Sequence, residues 1–363
     1  MTASDPVTAP DPVTASDPAG RPPDRRSTGD DRTDALIEEL LDAVDAEANR
    51  RVLREIFVSA TGLARTVDDR LDLKIASAAL YEMWDAFTTF APHKDLRKVT
   101  VFGSARTRPD TAEYVLAADV ARAMAERDWF VVTGAGPGIM LAANEGAGRE
   151  RSFGVNIRLP FEQEANRYLL GDEKLVEMKY FFTRKLMLVK ESSAFVALPG
   201  GFGTQDETYE LLTLLQTGKA EPVPVVLLDV PDGSYWETWQ RFVVDELDGG
   251  GLIASDDHDL YTVATSVEEA CDEITRFWSN YHSIRYVGNR LVVRMQRPVS
   301  DATLAEINER CAGLVEGGQI ERSGPVGPEI DEADETELPR LAFRHGLGHY
   351  GNLRPLIDLI NRD

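Results

Sequence analysis

The sequence has few of the residues that build disulfide frameworks or metal centres. It contains two cysteines, Cys271 and Cys311, and five histidines in 363 residues. Two cysteines do not make a disulfide framework, so a reducing cytoplasm is the expected compartment. No histidine pairs with a cysteine at the spacing typical of zinc ligands. The composition therefore predicts a cytoplasmic protein without a bound metal.

Basic charge and long apolar runs are also scarce. The formal net charge is −23, from 62 acidic and 39 basic residues. Such a negative surface argues against nucleic acid or an anionic membrane as the main partner. No apolar run reaches about 18 residues, the length of a membrane-spanning helix, and the N-terminus lacks a signal-peptide pattern. Because the overall field repels anions, an anionic substrate must be held by local donors.

The remaining sequence divides into four predicted segments. Residues 1–33 carry the repeat DPVTAPDPVTASDP and cannot bury enough apolar surface to fold, so a disordered tail is expected. Residues 34–95 have helical periodicity, with Asp34 as the expected first cap. Residues 96–282 alternate short strands with helices, and residues 283–363 follow a βαββα order typical of a small α+β unit.

The alternating segment predicts an α/β fold, a Rossmann-like doubly wound parallel sheet with an N-terminal helical extension and a small C-terminal α+β unit. In such sheets ligands bind at the carboxyl ends of the strands. Glycine-rich loops follow three of the strands and are therefore expected to converge. The predicted strands begin at Lys98, Trp129, Phe153, Lys174, Ala194 and Val223.

The chain is organised around the loop after the fifth predicted strand, which reads PGGFGT and opens an amphipathic helix. A strand, a glycine-rich turn and a helix together form the unit that holds phosphate in α/β folds. Glycines let backbone N–H groups approach an anion closely, and the helix N-terminus adds partial positive charge. The candidate phosphate-binding residues here are Gly200, Gly201, Gly203 and Thr204.

The two earlier loops are weaker candidates. Ser104 could give its hydroxyl, and Arg106 its guanidinium, to a phosphate or ribose. Alternatively, Ser104 caps the next helix and Arg106 is solvated. The loop GAGPG could also be only a tight strand–helix turn, and it lacks the acidic residue of a dinucleotide-binding fingerprint. The candidate glycines of these loops are Gly103, Gly134, Gly136 and Gly138.

Three charged residues near the main loop have two interpretations each. Thr204 and Glu207 have the spacing of a helix capping box, but Glu207 would also lie within reach of a bound nucleotide. Arg184 and Lys185 lie in an otherwise apolar helical segment, where a charge is costly unless it is paired. Salt bridges to surface carboxylates are the alternative to a role in a site.

The stretch PGGFGTQDE, with Arg184-Lys185 upstream, resembles the PGG-x-GT-x-x-E and RK motifs of the LONELY GUY (LOG) family of nucleoside 5′-monophosphate phosphoribohydrolases. The resemblance implies that Glu207 and Arg184 are catalytic and that Lys185 supports the site. This family usually has three successive glycines before the proline, and here Ala135 replaces the middle one.

The resemblance extends from Lys98 to Phe242 and includes NIRLPFEQEAN, residues 156–166, a stretch similar to the longer, LOG-like bacterial branch. It implies hydrolysis of the N-glycosidic bond of nucleotides such as AMP or cytokinin riboside monophosphates, without a cofactor, in cytokinin activation or nucleotide salvage. It also implies a homo-oligomer, a dimer or larger. The aromatic stripe of residues 81–90 is expected to pack on the core or on another subunit.

Two other functional interpretations remain. One is a nucleotide-binding or molybdenum-cofactor-binding carrier without catalysis, since such carriers share the fold and the glycine loops. The presence of both Arg184 and Glu207 favours an enzyme. The other is a lysine decarboxylase, which needs pyridoxal phosphate on a lysine, and no stretch of the sequence indicates such a site.

Overall fold

The structure, a computed structural model, describes residues 26–159, 164–331, 334–346 and 353–363. Residues 1–25 of the predicted disordered tail, and residues 160–163 of the NIRLPFEQEAN stretch, lie outside the described residues. The chain divides into two compact units, Met1–Tyr81 and Glu82–Asp363. The predicted domain boundaries remain predictions. None of the described helices is both long enough and apolar enough to cross a bilayer.

The first unit is helical, as its periodicity predicts, but its first helix begins earlier than expected. Asp30 caps this helix, because its carboxylate accepts a hydrogen bond of 2.9 Å from the Thr33 N–H. Asp34, the predicted cap, instead accepts hydrogen bonds from the Ser27 hydroxyl and the Thr28 N–H. The last three residues of the predicted tail are therefore helical. The helices are α1 Asp31–Ala43, α2 Arg50–Thr66 and α3 Arg70–Phe90, which continues into the second unit.

A parallel sheet of seven strands, counted within the described residues, lies at the centre of the second unit. Its order is β4-β3-β2-β1-β5-β6-β7, and every neighbouring pair is parallel. All six predicted strands are confirmed. The seventh was not predicted, because three residues are too few for a periodic pattern. The strands are β1 Lys98–Phe102, β2 Phe130–Thr133, β3 Ser152–Ile157, β4 Leu175–Met178, β5 Ala194–Ala197, β6 Val225–Leu228 and β7 Thr262–Ala264.

Helices cover both faces of this sheet, which confirms the doubly wound α/β fold. Along β5, Ala194 and Val196 belong to an apolar cluster with α4, α5 and α9, whereas Phe195 and Ala197 belong to another with α7 and α8. Successive side chains of a strand point to opposite faces, so both faces of β5 are buried. These helices and the one before β5 are α4 Ala112–Ala125, α5 Ile139–Ala147, α6 Phe181–Lys190, α7 Phe202–Gln216, α8 Tyr235–Phe242 and α9 Val267–Phe277.

The C-terminal segment forms an antiparallel sheet of order β10-β11-β9-β8. The predicted βαββα order omitted β8, which crosses the predicted boundary at 282/283 and pairs as a hairpin with β9. That order also omitted α11, which is only five residues long. The elements are β8 Tyr281–Val287, β9 Arg290–Met295, α10 Asp301–Arg310, β10 Glu321–Ser323, α11 Gly327–Asp331, β11 Arg340–Arg344 and α12 Leu353–Ile360.

Candidate active site

The three glycine-rich loops meet at one edge of the parallel sheet, as the sequence predicts. They follow β1, β2 and β5, which are neighbours in the sheet. The chain reverses direction across the sheet between β1 and β5, and such a switch point is where open α/β sheets bind ligands. The Ser104 N–H donates to the Pro199 carbonyl at 3.1 Å, and the Ile139 N–H donates to the Ser104 carbonyl at 3.0 Å. The loops are therefore joined directly.

Some of the candidate glycines are required for this close packing. Gly138 has φ +65°, and a Cβ there would overlap the Ser104 carbonyl. A Cβ on Gly200 would overlap the Thr204 hydroxyl, and one on Gly103 would lie 2.8 Å from an Ile139 side-chain carbon. These three glycines let the loops approach each other, so their occurrence does not by itself indicate a ligand.

Gly201 and Gly203 differ from them, because no atom would lie within 4 Å of a Cβ at either position. Both border open space at the start of α7, and both are exposed. Gly201 is the N-cap of α7, and no side chain caps this helix end. The first N–H groups of a helix have no intrahelical partner, and the helix dipole makes this end electropositive. This helix terminus can therefore accept an anion.

The capping-box interpretation of Thr204 and Glu207 is wrong. The helix α7 begins at Phe202, so Thr204 is its third residue and Glu207 its sixth. Thr204 is buried and lies against Gly200, while its carbonyl accepts a hydrogen bond of 2.8 Å from the Thr208 hydroxyl. The sequence motif is thus not needed to begin the helix.

The loop after β1 holds Ser104 in a tight turn, where the Ser104 hydroxyl accepts a hydrogen bond of 3.1 Å from the Arg106 N–H. The alternative that Ser104 caps the next helix is wrong, because Thr111 caps α4. Arg106 is exposed. The hydrogen of the Ser104 hydroxyl has no acceptor among the described residues, so it remains able to donate to a ligand.

The loop after β2 accommodates Ala135 in place of the family's middle glycine. Ala135 has φ +57°, a left-handed conformation that glycine adopts more easily. Its side chain is fully buried in an apolar cluster with Ala165 and Leu169, so the methyl group points into the protein. Asn166 fixes the loop, since its N–H donates to the Ala135 carbonyl at 2.8 Å and its amide donates to the Gly136 carbonyl at 3.2 Å.

Arg184 extends from α6 to this same loop. Its guanidinium packs against Gly134, where a Cβ would overlap Nη2, and its Nε donates to the Val155 carbonyl at 2.9 Å. Burial lowers the pKa of Arg184, and the charge of Glu207 partly offsets this. No carboxylate of the described residues forms an ion pair with Arg184, so the surface salt bridge considered for it is wrong.

Lys185, by contrast, does form the salt bridges considered for it. Its Nζ lies 2.8 Å from Asp206 Oδ2 and 2.7 Å from Glu210 Oε2 on α7. Burial alone would lower the pKa of Lys185, but the hydrogen bonds to these two carboxylates raise it above its ordinary value. Lys185 therefore stays charged and links α6 to the helix that carries Glu207.

Glu207 is a partly buried carboxylate without a hydrogen-bond donor among the described residues. The pKa of Glu207 is raised to about 6, chiefly by burial. The charges of Arg184 and Lys185 act in the opposite direction, and the like charge of Glu210 adds to the rise. A partly buried carboxylate with a pKa near neutrality is suited to accept and donate protons. Arg184 and Glu207 form no ion pair, but the charge of each acts on the pKa of the other.

In the described part of the chain, no group of three or more histidine, cysteine or acidic residues could hold a metal ion. The fold and this geometry define a class: a Rossmann-like α/β protein with glycine-rich loops and an uncapped helix N-terminus at its switch point.

Comparisons with known proteins define the family. A family model described as "Possible lysine decarboxylase" matches residues 139–274. The chain is 31% identical over 156 residues to a probable cytokinin riboside 5′-monophosphate phosphoribohydrolase of Arabidopsis thaliana, covering 42% of this chain and 75% of that protein. It is 28% identical over 183 residues to another of Oryza sativa subsp. japonica, covering 50% and 77%. The chain belongs to the LOG family, as its motifs indicate.

Among solved structures, the chain resembles a molybdenum cofactor carrier protein from Chlamydomonas reinhardtii. The identity is 22%, the match covers 50% of this chain and 97% of that chain, and the TM-score is 0.35.

Proposed function

We propose that this protein hydrolyses the N-glycosidic bond of a nucleoside 5′-monophosphate to a free base and ribose 5-phosphate. The observation that carries the proposal is a partly buried carboxylate, Glu207, with a pKa of about 6, on the helix whose uncapped N-terminus follows the glycine loop, with the charge of Arg184 acting on it. Its relatives named as cytokinin riboside 5′-monophosphate phosphoribohydrolases support a substrate of the same class.

The phosphate binds at the start of α7. Its oxygens accept hydrogen bonds from the backbone N–H groups of Gly201, Phe202 and Gly203, which border open space. The Ser104 hydroxyl lies on the neighbouring loop and donates a further hydrogen bond. These local donors hold the dianion despite a net charge of −23 on the whole chain.

Cleavage of the bond passes through an oxocarbenium-like transition state, in which positive charge builds on the ribose. The Glu207 carboxylate stabilises this charge and takes a proton from the water that attacks C1′. The electrons of the C1′–N bond leave with the base, which takes up a proton. Arg184 orients the ribose phosphate or the departing base, so that the bond stays in line with the water.

A panel of nucleoside monophosphates tests this proposal most broadly. Free base should appear by chromatography with at least one member, and no added cofactor should be required. Binding without release of base would instead favour a nucleotide carrier. An absorbance band of a Schiff base with pyridoxal phosphate would favour a decarboxylase. The panel would also identify the preferred base and so separate cytokinin activation from nucleotide salvage.

The activity should fall on the acidic side of pH 6, because Glu207 must be ionised and its pKa is about 6. The phosphate of the substrate also titrates near pH 6, so the wild-type profile alone is ambiguous. Glu210→Gln removes a like charge that raises the pKa of Glu207. The acidic limb of kcat/KM should therefore move to lower pH in this variant. An unmoved limb would assign it to the substrate.

Gly203→Ala should stabilise the protein and weaken the binding of the substrate. Alanine is favoured over glycine in a helix by about 0.5–1 kcal/mol, and no atom obstructs a methyl group there. The same methyl group would crowd an anion on the N-terminus of α7 and raise KM. Gly62→Ala, also at an unobstructed position within a helix, is the control. It should raise the melting temperature without changing KM, and equal KM values in both variants would argue against phosphate at Gly203.

The protein should also form a dimer or a larger homo-oligomer. In the second unit, α3 and α6 expose large apolar side chains, whereas Phe90 of the predicted aromatic stripe is buried against Phe153. Such exposed groups are typical of subunit interfaces. Light scattering should give at least twice the chain mass of 40.2 kDa, and a monomer mass would contradict this expectation. The exposed side chains are Trp84, Phe87, Phe181, Phe182 and Leu186.

A further inference from the structure

Tyr235, the first residue of α8, contacts the PGGFGT loop from a separate part of the chain. Its hydroxyl lies 2.5 Å from the Gly200 carbonyl oxygen, 35 positions away in sequence. The amide nitrogen of Gln205, in the first turn of α7, lies 2.7 Å from the same hydroxyl. One side chain thus joins the glycine loop to the helix that follows it. Neither the motif nor the roles described above include this tyrosine.

The direction of these hydrogen bonds follows from the groups involved. A carbonyl oxygen can only accept, and a hydroxyl has one hydrogen, so the Tyr235 hydrogen must be donated to Gly200. The Gln205 amide then donates to the Tyr235 oxygen. The Tyr235 hydroxyl thus accepts from Gln205 and donates to Gly200, and the directions of both hydrogen bonds are fixed.

This arrangement also orients the next N–H group. A peptide unit is planar and trans, so its N–H points away from its C=O. When Tyr235 holds the carbonyl of Gly200, the N–H of Gly201 is turned to the opposite side. Gly201 is the N-cap of α7 and borders open space, where no atom would lie within 4 Å of a Cβ. Tyr235 thus fixes the direction of a donor at the proposed phosphate site.

Tyr235 is itself held by a buried carboxylate. Asp229, directly after β6, accepts hydrogen bonds from the N–H groups of Tyr235 at 3.0 Å and Trp236 at 3.3 Å. A Cβ on Gly233 would overlap the Asp229 carboxylate, so the turn between them needs glycine. The Tyr235 ring also packs edge-on against Trp236, with 4.9 Å between ring centroids. The hydroxyl is therefore presented by a rigid support.

We propose that Tyr235 is a positioning residue for phosphate binding, which acts by orienting the Gly200–Gly201 peptide group. This inference rests on the proposed function of the same loop. The phosphate is bound in both the ground state and the transition state, so loss of its donor geometry is expected to raise KM rather than to lower kcat.

The test compares Tyr235→Phe with the wild-type protein. Phenylalanine keeps the ring packing and removes only the hydroxyl. The dissociation constant of ribose 5-phosphate, measured by calorimetry, and the KM for AMP should each rise about tenfold, the effect of one lost hydrogen bond. The kcat should change by less than about threefold, because no group that touches the reacting atoms is altered.

Tyr261→Phe is the matched control. Tyr261 belongs to the same apolar cluster, and its hydroxyl contacts His258 at 3.2 Å rather than the glycine loop. This variant should lose comparable thermal stability but retain the wild-type affinity for ribose 5-phosphate. If the role of Tyr235 were purely structural, Tyr235→Phe and Tyr261→Phe would bind ribose 5-phosphate with the same affinity.

The outcomes separate this inference from the proposed function. Release of base by the wild type, with unchanged affinity in Tyr235→Phe, would overturn the role of Tyr235 alone. If the wild type bound ribose 5-phosphate but released no base from nucleoside monophosphates, the hydrolase proposal would be contradicted. A tenfold loss of affinity for ribose 5-phosphate in Tyr235→Phe would still support the role of Tyr235. No binding of ribose 5-phosphate by the wild type would overturn both.

Discussion

Replacing Glu207 by glutamine is expected to lower the turnover of AMP by about 10²-fold or more. The change keeps the size of the side chain and removes the charge that, in the proposed mechanism, stabilises the oxocarbenium ion and accepts a proton from water. AMP should bind as well as before or more tightly, because a negative charge near the phosphate is lost. Steady-state rates of base release and a calorimetric titration with AMP measure the two effects.

Glu237→Gln is the control for this substitution. Glu237 is an exposed glutamate on α8, so its replacement should change neither turnover nor binding. The account would be contradicted if Glu207→Gln released base at a near-normal rate. It would also be contradicted if the loss of activity came entirely from weaker binding of AMP.

Replacing Arg184 by methionine is expected to lower kcat/KM by a similar factor of about 10². Methionine retains most of the aliphatic stem of Arg184 but lacks the guanidinium that orients the substrate in the proposed mechanism. A second effect should accompany the loss. Because Arg184 lowers the pKa of Glu207, its removal should raise that pKa above about 6, and the acidic limb of the residual activity should move to higher pH.

Arg241→Met provides the comparison, since Arg241 is exposed on α8 and donates a hydrogen bond only to Thr238 among the described residues. It should leave both kcat/KM and the pH profile unchanged. A reduced rate in Arg184→Met with an unmoved acidic limb, when Glu210→Gln does move that limb, would argue that the arginine and the glutamate do not interact.

The parallel sheet could be predicted because its strands carry strong local signals. Each of the six predicted strands is a short segment rich in apolar residues, and three of them end in glycine-rich loops. The edge strand β7, Thr262–Ala264, has only three residues and gives no such pattern. The C-terminal strand β8 reads YHSIRYV, without regular alternation, and has a register shift between Tyr281 and Ser283, so its pairing with β9 is not evident from sequence.

The candidate site was predictable as a set of motifs but not as a set of contacts. The PGGFGT loop and the upstream arginine indicated which residues meet, because parallel strands place their following loops at one edge. Spacing alone could not decide whether Thr204 and Glu207 form a capping box, since that depends on where α7 begins. Tyr235 and Asn166 support the loops through one and two hydrogen bonds to carbonyl groups, respectively, and neither residue type marks such a role in a sequence.

In the proposed mechanism, backbone amides at the start of α7 hold the phosphate of a nucleotide while Glu207 acts on its ribose. The most direct measurement compares AMP with adenosine at equal concentration, with adenine and ribose 5-phosphate quantified separately. The account predicts equal amounts of both products from AMP, and release of adenine from adenosine slower by about 10²-fold or more, because the phosphate contacts are lost. Equal rates on the two substrates, or no adenine from AMP when other nucleoside monophosphates also fail, would contradict it.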